Sequence, residues 1–332
     1  MTLDASEKSP VGAAKAYVKA AAINPLKMSQ TLGASYAFLG MNRCMPVMHG
    51  SQGCTSFGLV LLVRHFREAI PLQTTAMNEA TTILGGYENL EKGILNIRER
   101  AKPDLIAICS TGLTETKGED VRGHLNLIRR NHPEVKDTAL VFVSTPDFTG
   151  AFQDGWSKAV TALIDALVEP LPGHALVPNQ INVLPGCHLS PGDLEELREL
   201  IESFGLNPIF LPDVSGSLDG HMSDAFSPTT TGGTTLSQAR AMGASVHTLA
   251  CGESMRPCAE ALEKKIGTPF TVLPRLTGLT AVDALTTELM RLSGRTAPAK
   301  CRKQRSQLQD AMLDAHFFFG GKRVAIGAEP DL

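Results

Sequence analysis

The feature that most constrains the fold of this chain is a regular alternation of short apolar runs with longer amphipathic segments, beginning near residue 104. Runs such as DLIAICS (104–110) end in polar or turn-forming residues, as buried strands do. Strands that alternate with helices form parallel sheets covered on both faces. The pattern predicts strands at 104–110, 140–147, 181–186, 207–213, 246–252 and 270–275, and helices at about 118–132, 150–168, 190–204, 234–242, 253–267 and 278–293.

The chain of 332 residues exceeds one ordinary domain, which suggests two. A Pro- and Gly-rich stretch, EPLPGHALVPNQ, indicates a link between them. We therefore predict tandem Rossmann-like α/β domains with parallel sheets flanked by helices. The predicted boundaries are an N-terminal extension at 1–23, a first domain at 24–172, a second at 173–300, and at 301–332 a long helix and the first strand of a truncated third domain.

Composition excludes several classes of partner. Charged residues make up 20% of the chain and the net charge is -3, which gives no electrostatic basis for binding nucleic acid or an anionic membrane. No segment has the apolar length of a signal peptide core or a membrane span, so we expect a cytoplasmic protein. The seven cysteines are scattered and odd in number, which is not typical of a disulfide framework, and most are expected to be buried thiols.

One cysteine stands apart because of its neighbours. Cys54 follows Gly53 in HGSQGCTSF and precedes an apolar series with helical spacing. A thiol at the start of a helix lies close to free backbone amides that favour the thiolate, which could bind a metal or attack a substrate. Gly50 and Gly53 would let the backbone approach a bulky inorganic group and donate N–H groups to it.

The alternatives for Cys54 are a buried inert thiol and a catalytic nucleophile. Catalysis would need a base such as His49 or His65, and neither comes with a readable third member of a triad. An iron–sulfur cluster held by this chain alone is also disfavoured, because four thiolates are the norm and the cysteines lack such spacing. A site shared with a second subunit remains. Cys44, ten residues earlier and without flanking glycines, is the rival ligand.

Four further loops contain residues suited to binding or capping. In ICSTGLTETKGED (108–120) a ligand could meet Thr111, Gly112 and Thr114, or the hydroxyls could cap a helix. In VSTPDFTGAF (143–152) Asp147 or Thr149 is a candidate cap and Gly150 permits a tight turn. DVSGSLDGH and TTTGGTT match no phosphate-binding motif and are interpreted as plain loops.

Several long motifs in order carry a resemblance to a known family. They are NPLKMSQTLGASYAFLG, MPVMHGSQGC, VRHFREAIPLQTTAMNE, LGGYENLEKGILNI, ICSTGLTETKGEDV, VSTPDFTGAFQDGW and KQRSQLQDAMLDAHFFF. From Asn24 onward the chain resembles the nitrogenase component 1 superfamily, in its branch of cofactor-assembly subunits. The resemblance implies a scaffold, not an enzyme, for building the nitrogenase iron–molybdenum cofactor. It also implies that relatives continue through a third α/β domain.

The resemblance further implies which residues meet metal. Three cysteines help to hold the eight-iron cluster in the catalytic β subunit of the superfamily, and the matching positions here are Met28, Cys54 and Gly112. The only thiol left, Cys54, is expected to be one ligand of a [4Fe-4S] cluster whose other thiolates come from a NifE-like partner in a heterotetramer. The cofactor precursor is expected mainly in that partner, with the nitrogenase iron protein and a precursor donor protein as further partners. The alternatives are a β-like electron-transfer subunit of the molybdenum–iron protein and a plain α/β small-molecule binding protein.

Overall fold

The computed structural model describes residues 27–170, 176–221, 225–327 and 331–332. The predicted N-terminal extension at 1–23 lies outside these residues. None of the described helices is both long enough and apolar enough to cross a membrane.

The first half of the chain builds a parallel sheet of four strands. The strands are β1 (Cys44–His49), β2 (Gln73–Thr74), β3 (Leu105–Ser110) and β4 (Ala139–Val143), in the spatial order β2-β1-β3-β4. Every residue of β1 and β3 is buried, as expected for central strands of a sheet with both faces covered. Around it lie helices α1 (Gln30–Leu39), α2 (Gln52–Phe66), α3 (Glu79–Leu84), α4 (Tyr87–Ala101), α5 (Gly112–Lys117), α6 (Val121–Asn131) and α7 (Phe152–Leu167).

The second half repeats this architecture. Strands β5 (Gln180–Pro185), β6 (Asn207–Phe210), β7 (His247–Cys251) and β8 (Phe270–Leu273) pair in parallel in the order β6-β5-β7-β8. The helices are α8 (Pro191–Ser203), α9 (Leu236–Ala241), α10 (Arg256–Ile266), α11 (Leu279–Ser293) and α12 (Ala299–Phe319). The start of α8 is as predicted, with the Ser190 hydroxyl accepting from the Asp193 N–H and Pro191 at the first helical position.

Helices α1 and α7 cross at a contact that leaves no room for side chains. A Cβ atom added at Gly33 would lie 1.9 Å from the carbonyl oxygen of Phe152, and one added at Gly155 would lie 1.9 Å from that of Gln30. Every residue of α1 is buried. These glycines therefore permit the close approach of two helix backbones.

The two sheets share one apolar core. Its buried residues come from both halves of the chain, including Leu105 of β3 and Leu249 of β7. The indole of Trp156, only 1% exposed, donates a hydrogen bond at 2.8 Å to the carbonyl oxygen of Pro185. On the other face of the first sheet, a smaller cluster forms beneath α4 and α6. The apolar core is continuous across the domain boundary predicted at 172–173. That boundary stays a prediction.

Helix α7 also contacts α10 of the second half through polar groups. The Ser157 hydroxyl lies 3.3 Å from the Cys258 sulfur, and the Thr161 hydroxyl donates to the same sulfur at 3.4 Å. The Lys265 ammonium donates to the carbonyl oxygen of Ile164 at 2.9 Å. Helix α7 is therefore tied to both halves of the molecule.

The C-terminal segment differs in part from its prediction. The long helix is present as α12, which has no buried residue and exposes Phe317, Phe318 and Phe319. Residues 322–327 form no strand. The reason is that no described strand lies beside them to complete a hydrogen-bonded ladder.

Candidate functional site

The loop from β1 to α2 places Cys54 on the surface. Strand β1 ends at His49, Ser51 occupies the N-cap position, and Cys54 is the third residue of α2. The Ser51 side chain caps none of the first N–H groups, and its oxygen lies 3.7 Å from the Cys54 sulfur. The thiol is exposed. It thus lies at a helix start with free amides, as the sequence predicts.

The two glycines of this loop have different surroundings. A Cβ atom at Gly50 would lie 2.2 Å from Thr111 Oγ1, whereas one at Gly53 would meet only Ser51 Oγ, at 3.9 Å. The Thr111 hydroxyl donates to the carbonyl oxygen of His49 at 3.0 Å. Gly50 therefore lets two loops pack together, and Gly53 leaves open space beside the thiol. Contact of either glycine with a cofactor stays a prediction.

Cys54 lines a cavity of about 260 Å³ at the carboxyl ends of the strands. Met28 and Phe57 contribute to its wall, together with Thr111 after β3 and Asp147 after β4. Open α/β sheets bind ligands at this edge, because the loops that follow neighbouring strands converge there. The structure thus brings Met28 and Cys54 together, which are far apart in sequence.

The third predicted position, Gly112, adjoins the same cavity. It is the first residue of α5, directly after the cavity residue Thr111. A Cβ atom at Gly112 would lie 2.2 Å from Asp147 Oδ1 and 2.5 Å from Oδ2. The carboxylate of Asp147 therefore occupies the space into which a side chain at 112 would extend.

Asp147 is a site residue that sequence reasoning missed. The sequence suggests it as a helix cap, but the N-cap residue of α7 is Ala151, whose N–H donates to the Asp154 carboxylate at 2.6 Å. The positive φ of Gly150, 65°, fits the predicted tight turn. In the sequence, Asp147 is marked only by its position directly after the predicted strand 140–147. Its place in the wall of the Cys54 cavity depends on the order of the strands in the sheet, β2-β1-β3-β4.

The loop that carries Asp147 is fixed to its neighbours by hydrogen bonds. The Thr145 hydroxyl donates to the carbonyl oxygen of Ser110 at 2.7 Å, and the Thr145 N–H donates to the Ser110 hydroxyl at 2.7 Å. The Gln30 amide donates to the carbonyl oxygen of Pro146 at 2.9 Å. The position of Asp147 relative to α5 is therefore set by the sheet and by the start of α1.

Neither histidine considered as a base is arranged for catalysis. His49 is fully buried, with Nδ1 at 2.9 Å from the Thr75 hydroxyl and Nε2 at 3.4 Å from Glu119 Oε2. Burial alone would raise the pKa of Glu119, but the facing His49 and the Gly86 N–H outweigh it and the pKa is lowered. His65 lies eleven residues after Cys54 on α2, roughly 16 Å along the helix axis. The geometry therefore does not favour a nucleophilic role for Cys54.

The remaining cysteines divide by exposure. Cys44, Cys109, Cys251 and Cys258 are buried, and Cys187 and Cys301 are partly buried. Burial raises the pKa of the Cys109 and Cys251 thiols to about 12. Cys44 begins β1, at the end of the strand opposite to the cavity, and burial raises the pKa of its thiol well above the usual range. This argues against Cys44 as the rival ligand.

The two glycine-rich loops of the second half are structural, in agreement with their interpretation as plain loops. A Cβ atom at Gly232 would lie 1.7 Å from the carbonyl oxygen of Gly216, so the two loops touch through their backbones. The Thr230 hydroxyl accepts from the Cys44 N–H at 2.7 Å. These loops pack against the segment that leads into β1.

The described residues contain no group of three or more His, Cys, Asp or Glu side chains arranged to hold a metal ion. One exposed thiol and one nearby carboxylate fit a metal cluster only if further ligands come from elsewhere. The donor set is thus that of a partial site.

Comparison with known proteins gives a consistent result. Residues 29–332 match the family model described as nitrogenase component 1 type oxidoreductase. The chain is 59% identical over 315 residues to the nitrogenase iron-molybdenum cofactor biosynthesis protein NifN of Bradyrhizobium diazoefficiens, covering 95% of this chain and 67% of that protein. The protein of the same name from Nostoc sp. is 51% identical, with 95% and 70% covered. A solved structure described as nitrogenase Cp1 at pH 6.5 superimposes with a TM-score of 0.88 at 34% identity, covering 94% of this chain and 68% of the other.

Proposed function

The chain belongs to the nitrogenase component 1 type oxidoreductase family, and from that premise we propose that it is a scaffold subunit for assembly of the nitrogenase iron–molybdenum cofactor. The relatives described above are named as biosynthesis proteins for that cofactor, which supports assembly over catalysis. The fold is that of nitrogenase component 1.

The observation that carries the proposal is a single exposed thiol at the edge of a cavity. Cys54 supplies one thiolate, and four are the norm for an iron–sulfur cluster. In our proposal a NifE-like subunit supplies the other thiolates of a [4Fe-4S] cluster between the two chains. Such a cluster would be held by Cys54 on this side, with Gly50 and Gly53 keeping the adjacent backbone close.

The surface around Cys54 supports a shared site. Phe57, Val60 and Val63 lie on the same helix and are 69%, 50% and 38% exposed. Adjacent exposed apolar side chains favour cover by another protein. A partner seated on α2 would bury this face and bring its own ligands to the thiol.

The other partners follow from the same proposal. The cofactor precursor would be held mainly by the NifE-like subunit, and the nitrogenase iron protein and a precursor donor protein would dock on the cytoplasmic heterotetramer. The present chain would complete the cluster site and shape the docking surface.

The alternative of a β-like electron-transfer subunit is disfavoured at two positions. Met28 and Gly112 cannot supply thiolates, and the space at Gly112 is filled by Asp147. A plain small-molecule binding protein would leave the exposed Cys54 without a role.

The test is co-expression with the NifE-like subunit without oxygen, followed by iron analysis and electron paramagnetic resonance of the reduced complex. Wild type, Cys54→Ala and Cys44→Ala are compared. We expect Cys54→Ala alone to lose the interfacial four-iron signal, because Cys44 is buried at the far end of β1. If both variants keep the signal, Cys54 is a structural thiol and the shared-cluster proposal is wrong.

A further inference from the structure

The peptide that joins β1 to the Cys54 loop is held by hydrogen bonds from two neighbouring loops. The carbonyl oxygen of His49 accepts from the Thr111 hydroxyl, after β3, at 3.0 Å. The N–H of Gly50 donates to the Thr75 hydroxyl, after β2, at 3.1 Å. The backbone four residues before the thiol is therefore fixed on both sides.

The side chain of His49 extends this network into the core. Its Nδ1 lies 2.9 Å from the Thr75 hydroxyl and its Nε2 lies 3.4 Å from Glu119 Oε2. The other oxygen, Oε1, accepts from the Gly86 N–H and lies 3.8 Å from His124 Nδ1. The side chains of His49 and Glu119 are 0% and 3% exposed, so packed neighbours keep both from turning freely.

The Glu119 carboxylate determines which nitrogen of His49 carries a hydrogen. Burial would raise the pKa of Glu119, but His49 and the Gly86 N–H outweigh it, and an ionised carboxylate can only accept hydrogen bonds. A hydrogen on His49 Nε2 therefore faces Glu119, and in the neutral ring Nδ1 accepts from the Thr75 hydroxyl. The Thr75 oxygen keeps a lone pair for the Gly50 N–H. We call this series, from Glu119 through His49 and Thr75 to Gly50, the Glu119 relay.

We propose that Glu119 is a positioning residue for Cys54, acting through the Glu119 relay on the backbone at Gly50. Hydrogen bonds outside the ligands themselves orient the ligands of metal sites. The relay has this position, because the loop beyond it receives no capping bond from the Ser51 side chain. The inference rests on the proposed function, since the group that Cys54 would bind is the four-iron cluster.

The first experiment examines the relay in the isolated chain, without any cluster. Nitrogen-15 chemical shifts of the histidine rings show which nitrogen carries a hydrogen, and the His49→Gln variant identifies the His49 signals. We expect the hydrogen on Nε2 in wild type. In Glu119→Gln we expect it on Nδ1, because the amide oxygen accepts from the Gly86 N–H and its NH2 group turns to the ring. Glu91→Gln, whose carboxylate faces His132 Nε2 at 3.1 Å, is the matched control and should leave His49 unchanged.

The second experiment measures the effect of the relay on the cluster in the complex with the NifE-like subunit. Thr75→Val removes the hydroxyl that accepts from the Gly50 N–H, and we expect it to shift the electron paramagnetic resonance signal of the reduced cluster and to lower the iron content. Glu119→Gln should shift the signal as well, because the Thr75 hydroxyl must then donate elsewhere, to the Gly50 carbonyl oxygen at 3.5 Å.

Two control variants separate positioning from a general loss of stability. Thr75→Ser keeps the hydroxyl and should restore the wild-type signal. Thr248→Val removes a buried hydroxyl of the second half, which accepts from the Asn182 amide at 3.3 Å. It should lower the melting temperature, as Thr75→Val does, but leave the cluster signal unchanged.

The outcomes separate the two proposals. If Nε2 of wild-type His49 carries no hydrogen, the relay does not exist and the inference fails. It fails equally if Cys54→Ala removes the cluster signal but Thr75→Val and Glu119→Gln leave it as in wild type, or if Thr248→Val shifts it as much as Thr75→Val does. If Cys54→Ala keeps the cluster, the proposed function itself fails, whatever the relay does.

Discussion

The cysteines offer a direct check of the site at the scale of single residues. Cys54 is exposed, whereas Cys44, Cys109, Cys251 and Cys258 lie in the core. Since the thiolate is the reactive form, burial that raises the pKa of Cys109 and Cys251 to about 12 also suppresses their alkylation.

We expect iodoacetamide to modify Cys54 of the native chain well before any of the four buried cysteines. Peptide mass mapping at neutral pH measures the order. The Cys54→Ala variant should lack the fastest product, and all sites should react once the chain is unfolded. Equal labelling of Cys44 and Cys54 in the native chain would contradict the assignment.

The two glycines before Cys54 give a matched pair of substitutions. Gly50→Ala places a Cβ atom against Thr111, and overpacking of this kind costs roughly 1–3 kcal/mol. Gly53→Ala adds a methyl group in open space within α2, where alanine is favoured over glycine by about 0.5–1 kcal/mol.

Urea denaturation of the two variants should therefore move in opposite directions from wild type. The result would also separate the two predicted cofactor contacts, because Gly53→Ala can alter cluster binding without a loss of stability. A Gly50→Ala chain as stable as wild type would mean that the two loops can move apart.

At the scale of helices and strands, the crossing of α1 and α7 is the most restrictive contact. Gly155→Ala would place a Cβ atom 1.9 Å from a backbone carbonyl, which no side-chain rotation relieves. We expect it to reduce the free energy of unfolding by about 3 kcal/mol, at the upper end of the overpacking range.

Gly192→Ala is the control for this substitution. Gly192 lies in the first turn of α8 with nothing within 4 Å of an added Cβ atom, so the change should be neutral or slightly stabilising. Chemical denaturation of both variants measures the difference. Similar midpoints for the two would show that the helices can separate at little cost.

Helix α12 is attached to α11 by an exposed ion pair. Arg305 donates through Nε to Asp283 Oδ1 at 2.7 Å and through Nη2 to Oδ2 at 2.8 Å. This hydrogen bonding lowers the pKa of Asp283 below its ordinary value of 3.8. The contribution of the pair is therefore complete above that pH and is lost as the pH falls through the lowered pKa.

At neutral pH, Asp283→Asn should increase amide hydrogen exchange in α12 and leave α8 unchanged. Asp310→Asn, on the exposed part of α12, is the control for loss of a carboxylate. If the exchange of α12 is the same in both variants, other contacts hold the helix.

The sequence predicted most of the fold, because β3 to β8 and the helices between them have clear apolar periods and turn signals. Before residue 104 it indicated only the helix after Cys54, and it missed α1, β1, β2, α3 and α4. Strand β1 was missed because Cys44–His49 contains Pro46, which cannot donate to a ladder, and few β-branched residues. The thiol of the site was recognisable from its glycines and from the helix that follows. Asp147 was not, because its approach to Gly112 depends on the pairing of β3 with β4.

For the whole molecule, the continuous core predicts that both halves unfold together. Trp156, the single tryptophan, lies on α7 and bonds to Pro185 at the end of β5, so its fluorescence reports on the junction of the halves. Far-UV circular dichroism reports on all helices and strands.

We expect the two signals to change at the same urea concentration, which is the usual test of a cooperative transition. A circular dichroism curve with two steps, only one of them accompanied by the fluorescence change, would show that the halves unfold independently.

The ties of α7 to both halves limit how relatives of this chain can be recombined. A crossover between α7 and β5 would join Ser157 and Thr161 of one parent to Cys258 of another. A crossover before α7 would instead divide the glycine crossing with α1. Hybrid subunits made by exchanging halves must therefore be matched at every contact that the junction divides, and a junction after α7 divides the shared apolar core as well as the contacts of Cys258.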